Sequence, residues 1–280
     1  MIKNVAYFPL QCALNSAPVM QAVLQSLKSA GMSIAENSMT ADAAIIWSVL
    51  WAGRMQANRT VYKHYRSQNK PVIIVEVGAL HRGTTWKIAV NNITAQGYYG
   101  HTDNLDWDRP RKLNIQLQTP TKPEPHIVIA AQHHNSLQVA NLVSVSTWVQ
   151  DTINNLKLCT DRPIVVRPHP RSTLGNITGA SLQQPKKLAG TYDSFDMDFN
   201  CHAVINFNSG PGVQAAIAGV RPVVDASSLA APVSIDIANI EQPYTVDRDL
   251  WLAQICHTEY LLEEIKQGSW IKRILPALQV

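Results

Sequence analysis

Apolar and polar positions along the chain form blocks that predict a repeated order of strand and helix. Short unbroken apolar runs are typical of strands buried on both faces of a parallel sheet, and the longer stretches between them have helical spacing. In the first part the pattern predicts strands at 5–8, 43–47 and 71–77, and helices at 17–30 and 59–68. In the second part it predicts strands at 127–131, 164–167, 204–207 and 222–224, helices at 144–156 and 213–218, and two amphipathic helical pieces within 247–267.

The segment 116–125 separates these two parts. It carries three prolines in ten residues and almost no apolar side chains. Proline fixes extended backbone and disfavours helix, so such a segment is typical of a linker. We therefore predict two domains, 1–122 and 123–280. The expected fold class is α/β, with two Rossmann-like doubly wound domains that face a cleft.

Composition narrows the class of protein. The 280 residues are 46% hydrophobic and 16% charged, as in a well-packed globular chain. No apolar stretch approaches the length of a membrane span, and the N-terminus leads directly into a predicted strand, so we expect a cytoplasmic protein. Cys12, Cys159, Cys201 and Cys256 are far apart, which indicates free thiols. We predict no metal site, because the pair at 133–134 lacks acidic or Cys companions at ligand spacing.

Charge is distributed unevenly along the sequence. The chain has a net charge of +4, with +7 in residues 1–122 and −3 in residues 123–280. A basic half suggests a polyanionic partner, such as DNA or an acidic polysaccharide. The alternative is an ordinary solvated surface whose charge has no function.

Three turns at the ends of predicted strands combine into a candidate phosphate site. Ligands of open α/β sheets bind beyond the carboxyl ends of the strands, and a helix start after a strand favours an anion. Arginine suits phosphate geometry, and glycine permits close approach of the backbone. The predicted phosphate-binding residues are Gln132, Arg167, His169, Arg171, Asn208, Ser209, Gly210 and Gly212.

These motifs resemble the second half of a known enzyme family. Gln132, the run 167–170 (Arg-Pro-His-Pro), the run 208–210 (Asn-Ser-Gly) and the helix with its Gly-Val-Arg-Pro end at 214–223 are similar to the capsule-polysaccharide biosynthesis family. That family comprises GT-B-type sugar transferases, Kdo transferases among them, so the resemblance implies that the α/β fold is GT-B-like. The resemblance covers about residues 70–265 and is strongest at 127–228. It implies that His169 and Ser209 contact the phosphate of a nucleotide-sugar, and that no other cofactor is required.

The first half resembles the family more loosely. The run 75–82 is similar to the family's acidic turn, but Val77 stands where the family often has a second acid. Glu76, at the end of an apolar strand, is the predicted general base, with a structural carboxylate as the alternative. His81 is the second catalytic candidate. Basic and aromatic residues nearby suit a polyanionic acceptor, and the predicted acceptor-binding set is Arg54, Lys63, Arg66, Arg82, Trp86 and Lys87.

Two classes of function remain open at this stage. The first is a glycosyltransferase with an acceptor-binding domain at 1–122 and a nucleotide-sugar-binding domain at 123–280. Because the first half has a net charge of +7 and the chain also resembles phage proteins, the favoured acceptor is a hydroxymethylated pyrimidine in phage DNA, with capsule or surface polysaccharide as the alternative. A phage-encoded protein of this kind is expected in the host cytoplasm. The second class is a non-catalytic nucleic-acid-binding protein with a GT-B shell, which the missing acid at Val77 favours. A sugar-nucleotide epimerase fits the phosphate site but not the basic half.

Overall fold

The computed structural model describes residues 2–119, 125–186 and 199–278. The chain divides into two compact units, which we call the first unit (Met1–Asp106 with Gln254–Val280) and the second unit (Trp107–Ala253). This division differs from the predicted domains, which placed the boundary near residue 122 and the C-terminal tail in the second domain. Residues 120–124 of the predicted linker lie outside the described residues.

Regular elements alternate along both units, as the apolar pattern predicts. Within the described residues the strands are β1 (Asn4–Tyr7), β2 (Ser33–Glu36), β3 (Ala43–Trp47), β4 (Val72–Val77), β5 (Thr85–Val90), β6 (Ile127–Ala130), β7 (Ile164–Arg167), β8 (Ser181–Leu182), β9 (Ala203–Asn206), β10 (Arg221–Val224) and β11 (Glu259–Leu261). The helices are α1 (Ala17–Ser29), α2 (Asn58–Ser67), α3 (Arg109–Lys112), α4 (Val145–Leu156), α5 (Gly210–Ile217), α6 (Asp249–Ile255), α7 (Leu262–Gln267) and α8 (Ser269–Leu278).

The first unit is built on a mixed sheet with strand order β11-β5-β4-β3-β1-β2. Strands β1 to β4 are parallel, whereas β5 runs antiparallel to β4 and β11 antiparallel to β5. The fully parallel sheet expected of a doubly wound domain is therefore wrong for this unit. The cause is the return of β5 along β4 after a short turn, since an antiparallel neighbour needs no crossover helix.

The C-terminal segment belongs to the first unit because its apolar side chains complete that core. Trp270 is fully buried among residues of α1 and the sheet. Its indole Nε1 donates to the hydroxyl of Ser26 at 3.1 Å. Ile274 and Leu278 follow on the same face of α8 and are equally buried. The tail thus covers a sheet face that the N-terminal segment alone leaves open.

The second unit is built on a parallel sheet with strand order β10-β9-β6-β7-β8. All four residues of β6 and of β9 are buried, which fits central strands covered on both faces. Helix α4 begins after Ser144, whose hydroxyl accepts from the N–H of Thr147 at 2.9 Å. None of the helices in the described ranges is both long and apolar enough to cross a bilayer.

Candidate active site

The three predicted phosphate motifs of the second unit meet at one edge of its sheet. They follow β6, β7 and β9, and these strands are direct neighbours in the order β9-β6-β7. Because all three are parallel, their carboxyl ends lie at the same edge, which we call the second-unit edge. The structure therefore brings together turns that lie up to about 80 residues apart in the sequence.

Two buried amides tie this edge together. Gln132 and Asn208 are 5% and 6% exposed. The Gln132 Nε2 donates to Asn208 Oδ1 at 3.0 Å, and the Asn208 N–H donates to Gln132 Oε1 at 2.8 Å. Asn208 Nδ2 also donates to the carbonyl of Gln138 and to the hydroxyl of Ser227, both at 2.9 Å. The two side chains thus connect the turns after β6, β9 and β10 and fix their positions relative to one another.

Ser209 stands at the start of α5, as the sequence predicts. Asn206, which is 1% exposed, accepts the Ser209 N–H at 2.7 Å through its Oδ1. Its Nδ2 donates to the Ala130 carbonyl at 2.8 Å and to the Ser209 hydroxyl at 3.0 Å. This side chain fixes the extended residue that opens the helix, where Gly210 occupies the first position. Asn206 was not predicted, although its Asn-x-x-Ser spacing is a signal for such a local turn.

Gly212 packs closely against β10, a structural role that the sequence pattern did not indicate. The residue is buried, and a Cβ at this position would lie 2.6 Å from Val224 Cγ1 on β10. A separation that short is not tolerated between carbon atoms, so a larger residue requires the Val224 side chain or α5 to move. The contact of Gly212 with a phosphate stays a prediction.

Three imidazoles gather at the same edge, and two of them were not predicted. The His133 ring stacks on His134 with centroids 4.9 Å apart and meets His169 edge-on at 5.1 Å. The Nδ1 atoms of His133 and His169 accept backbone N–H groups of Asn135 and Arg171, both at 3.1 Å. A neutral ring that accepts at Nδ1 carries its proton on Nε2. Each of these neutral rings is therefore an N–H donor at Nε2.

The β7 turn is braced by the two residues that follow Gln132. His134 Nδ1 lies 2.6 Å from the hydroxyl of Ser172, which is itself buried. Burial lowers the pKa of His133, and the positive charges of His134 and Arg171 lower it further, against an opposing hydrogen bond with the Arg171 backbone. The dipeptide at 133–134 thus supports the turn that carries His169 and Arg171. Arg167 is half-buried at the end of β7.

In the first unit, Glu76 lies near the carboxyl end of β4 and is half-buried. The hydroxyl of Ser48 donates to Glu76 Oε2 at 2.7 Å, and the N–H of Val77 donates to Oε1 at 2.9 Å. Ser48 directly follows β3, the parallel neighbour of β4. The predicted base is thus held by a residue of the adjacent strand end, which the sequence pattern did not indicate.

A second carboxylate, Glu259 on β11, organises the turn after β4. It is 1% exposed and accepts from the N–H groups of Ala79 and Leu80 at 2.7 and 3.1 Å, and from the Thr85 hydroxyl at 2.7 Å. Gly78 is required there, because a Cβ would meet Glu259 Oε2, an atom of the carboxylate itself, well inside contact distance. Glu259 comes from about 180 residues away, so no local signal identifies it.

The same turn holds His81, the second catalytic candidate. Its backbone N–H donates to the Thr85 hydroxyl at 3.1 Å, and its side chain is half-buried. His81 therefore lies on the turn that Glu259 fixes, a few residues beyond Glu76.

Lys87 is buried, in contrast to its predicted place on an acceptor surface. It is 7% exposed and lies opposite Glu76 on β4 and opposite Glu259 on β11. Burial lowers the pKa of Lys87, while the charges of Glu259 and Glu76 act in the opposite sense. The residue compensates charge within the sheet and is not exposed on a surface.

The other predicted acceptor residues divide between surface and core. Arg54, Lys63 and Arg82 are exposed. Arg66 is half-buried, with its Nη1 donating to the Lys70 carbonyl at 3.1 Å. Trp86 packs against the first-unit core. The exposed basic residues thus number fewer than the sequence pattern suggests.

Charge is more evenly shared between the units than between the predicted domains. The first unit has 12 basic and 8 acidic residues, a net charge of +4, and the second has 12 of each. The larger imbalance arose because the predicted boundary gave the first domain residues 107–122, whose net charge is +3, whereas the C-terminal tail 254–280 is neutral. This weakens the charge argument for a polyanion that prefers the first unit.

In the described part of the chain, no group of three or more His, Cys, Asp or Glu side chains is arranged to hold a metal ion. The four cysteines are free thiols, and Cys12, Cys201 and Cys256 are buried.

The chain shares its fold with a solved glycosyltransferase structure. It superposes on "Thermosulfurimonas dismutans KpsC, beta Kdo 2,4 transferase" with a TM-score of 0.50 and 10% identity, covering 96% of this chain and 98% of that one. The KpsC beta Kdo 2,7 transferase of the same organism gives a TM-score of 0.45 and 12% identity, over 95% and 98% of the two chains. No family model matches the sequence, and no curated protein matches it. The fold is therefore α/β and of the kind found in the first of these transferases.

Proposed function

We propose that this protein is a glycosyltransferase that moves a sugar from a nucleotide-sugar to a hydroxyl of a surface polysaccharide. The observation that carries the proposal is the second-unit edge, where a helix start and basic side chains follow three adjacent parallel strands. Such an edge suits the phosphate of an activated sugar. The proposed arrangement is GT-B, with the donor held by the second unit and the acceptor by the first.

In the proposed reaction, the second-unit edge holds the leaving group. His169 donates a hydrogen bond to a donor phosphate oxygen, Arg171 neutralises its charge, and the start of α5 at Ser209 adds its partial positive charge. Gln132 and Asn208 keep these groups in register through their mutual hydrogen bonds. Charge that develops on the departing phosphate is thereby stabilised by groups that are already in place.

Glu76 is the proposed base of the first unit. It takes the proton of the acceptor hydroxyl as that oxygen bonds to the anomeric carbon and the bond from carbon to phosphate oxygen breaks. The negative charge leaves with the nucleotide. Ser48 and Val77 donate to the ionised carboxylate and orient it before reaction.

The surface-polysaccharide acceptor is preferred over DNA for two reasons. The first reason is that the chain has the fold of a protein described as a beta Kdo 2,4 transferase, which favours transfer to a saccharide over transfer to DNA. For the same reason we propose an acidic sugar of the Kdo class as the donor sugar. The charge of the first unit is only +4, which is modest for a protein that tracks a DNA backbone.

A thermal-shift screen against UDP-, GDP-, CMP- and CDP-linked sugars, with CMP-Kdo included, tests donor binding. A ligand that binds only the native state raises the free energy of unfolding by mass action, by about 2.7 kcal/mol at a ligand concentration of a hundred times its Kd, and Tm rises with it. We expect one nucleotide class to give a shift that Ser209→Ala reduces. A positive screen is followed by a transfer assay with acidic oligosaccharide acceptors. Donor binding without transfer to any acceptor would favour a non-catalytic protein.

Exposed Arg54, Lys63 and Arg82 support DNA as a second candidate acceptor. Duplex affinity measured at 50 and 200 mM salt separates the two acceptors. A protein that contacts several phosphates loses affinity steeply over this range. Affinity that is weak and independent of salt removes the DNA candidate.

A further inference from the structure

We propose that Ser48 is a positioning residue that holds the carboxylate of Glu76 for proton transfer. The inference deepens the proposed function, on which it rests. The backbone of Ser48 has φ +64°, which lies in the left-handed region that residues with a Cβ avoid. The other non-glycine residues with positive φ in the described ranges are Asn37, Asn69, Asn91, Asn104 and Asn114. Asparagine tolerates this region, so serine is the exception.

The surrounding structure holds Ser48 in this conformation from several sides. Its N–H donates to the Val75 carbonyl at 2.8 Å, which extends the ladder between β3 and β4 by one residue. The preceding carbonyl, of Trp47, accepts from Nδ2 of Asn58 at 2.8 Å, and Asn58 is 1% exposed. Unfavourable backbone of this kind persists where neighbouring contacts determine it. Its usual place is a functional site.

The hydroxyl explains why serine stands here. Ser48 Oγ accepts the N–H of Leu50 at 3.1 Å and donates to Glu76 Oε2 at 2.7 Å. One atom therefore closes the turn after β3 and directs a proton at the carboxylate of the next strand. An aspartate in the same turn accepts the Leu50 N–H but sets a like charge beside Glu76. Glycine fits the backbone without strain but supplies no donor.

The burial of Ser48 adds to the argument. At 4% exposure, the side chain has little access to water that could replace a lost partner. Glu76, which accepts from this hydroxyl, is half-buried and so keeps part of its surface exposed. The hydroxyl thus fixes one carboxylate oxygen from the protein side, and the Val77 N–H fixes the other. Together they set the direction in which the carboxylate faces an acceptor.

The test compares Ser48→Gly with Ser48→Ala. Both remove the hydroxyl, but only glycine relieves the left-handed backbone. We expect kcat to fall about tenfold to a hundredfold in both, the loss typical of a hydrogen bond to a charged group. KM for the nucleotide-sugar stays unchanged, and the acid limb of the pH–rate profile moves to higher pH because the carboxylate loses a donor. The Tm of Ser48→Gly equals or exceeds that of wild type, whereas Ser48→Ala melts lower.

Asn37→Gly is the matched control, since it relieves the same conformation at an exposed position just after β2. It should leave kcat and the pH profile unchanged. A Ser48→Gly enzyme with wild-type kcat and pH profile overturns the proposal. If wild type transfers no sugar, the proposed function fails, and the contact is tested through Tm alone. Ser48→Gly and Glu76→Ala then have non-additive effects on Tm if the two side chains interact, and additive effects also overturn the proposal.

Discussion

The carboxyl ends of parallel strands carry the candidate chemistry in both units, but the two edges are constructed in opposite ways. In the first unit, the carboxylates of Glu76 and Glu259 are surrounded by hydrogen-bond donors of the protein itself. In the second, the neutral amides of Gln132 and Asn208 satisfy each other. Histidine and arginine side chains then follow at the same edge. One edge holds carboxylates in fixed orientations, and the other carries basic side chains.

This difference suits the two edges to the two tasks of the proposed function. A carboxylate that accepts from fixed donors is oriented and ready to receive a proton. A neutral amide pair cancels no positive charge, so the basic side chains beside it retain their attraction for an anion. Each edge also depends on a glycine whose missing Cβ permits close packing, Gly78 against Glu259 and Gly212 against Val224.

The largest expected effect separates the two edges by function. Glu76→Gln should lower the rate of transfer by about 10²–10⁴-fold, the usual contribution of a general base. The affinity for the nucleotide-sugar should not change, since the donor is assigned to the other unit. Transfer kinetics and donor titration on the same preparation measure both quantities. Glu263→Gln, on the exposed first turn of α7, is the control. Equal rates for the two variants would remove Glu76 from the mechanism.

The next effect concerns packing at the second-unit edge. Gly212→Ala should lower the free energy of unfolding by about 1–3 kcal/mol, because the new Cβ overpacks against Val224. Denaturant titration measures this loss. Gly175→Ala is the matched control, since its Cβ meets no atom closer than 3.6 Å. Adding Val224→Ala should make the loss of unfolding free energy in the double variant smaller than the sum of the losses in the two single variants. A Gly212→Ala protein as stable as Gly175→Ala would contradict the packing role.

Asn208→Ala tests the amide pair that distinguishes this edge. It removes the Oδ1 that accepts from Nε2 of buried Gln132, while the backbone N–H that donates to Gln132 Oε1 remains, and should destabilise the protein by about 1–3 kcal/mol. Asn154→Ala, at an exposed position of α4, should stay within about 0.5 kcal/mol of wild type. Urea unfolding at pH 7.5 compares them. If Gln132→Ala and Asn208→Ala prove additive in the double variant, the two amides are not coupled.

The smallest expected effect is a pH dependence from His133. Its pKa is lowered in the folded state by burial and by the charges of His134 and Arg171, whereas the unfolded value is about 6.5. The stability it contributes is therefore complete above about pH 6.5 and is lost as pH falls towards the folded pKa. The free energy of unfolding, measured from pH 7.5 to pH 5, should decline less steeply in His133→Gln than in wild type. His101 and His202, whose pKa values are also lowered by burial, retain their share in both proteins. Identical slopes would show that His133 does not contribute.

Much of the second unit could be predicted from the sequence because its signals are local. Unbroken apolar runs located β7 at the observed residues and β6 and β9 within one residue. The turns after these strands follow from the same runs, and a parallel sheet places them at one edge. Asn206 and His133 were missed because their roles depend on turn geometry and ring contacts that spacing alone does not specify.

The first unit was less predictable because its sheet is closed by distant residues. Strand β5 contains Trp86 and Lys87, which looked like surface residues because aromatic and basic side chains alternate there. They are covered once β11 pairs with β5, and no local pattern predicts a pairing between residues about 170 positions apart. Glu259, which fixes the turn after β4, was missed for the same reason.

The most direct test of the account measures nucleotide-sugar binding by thermal shift in wild type, Glu76→Gln and Ser209→Ala. The account predicts that one nucleotide-sugar class raises the Tm of wild type and of Glu76→Gln by the same amount, and that Ser209→Ala gives a smaller shift. Loss of the shift in Glu76→Gln with full retention in Ser209→Ala, or no shift with any nucleotide-sugar, would contradict it.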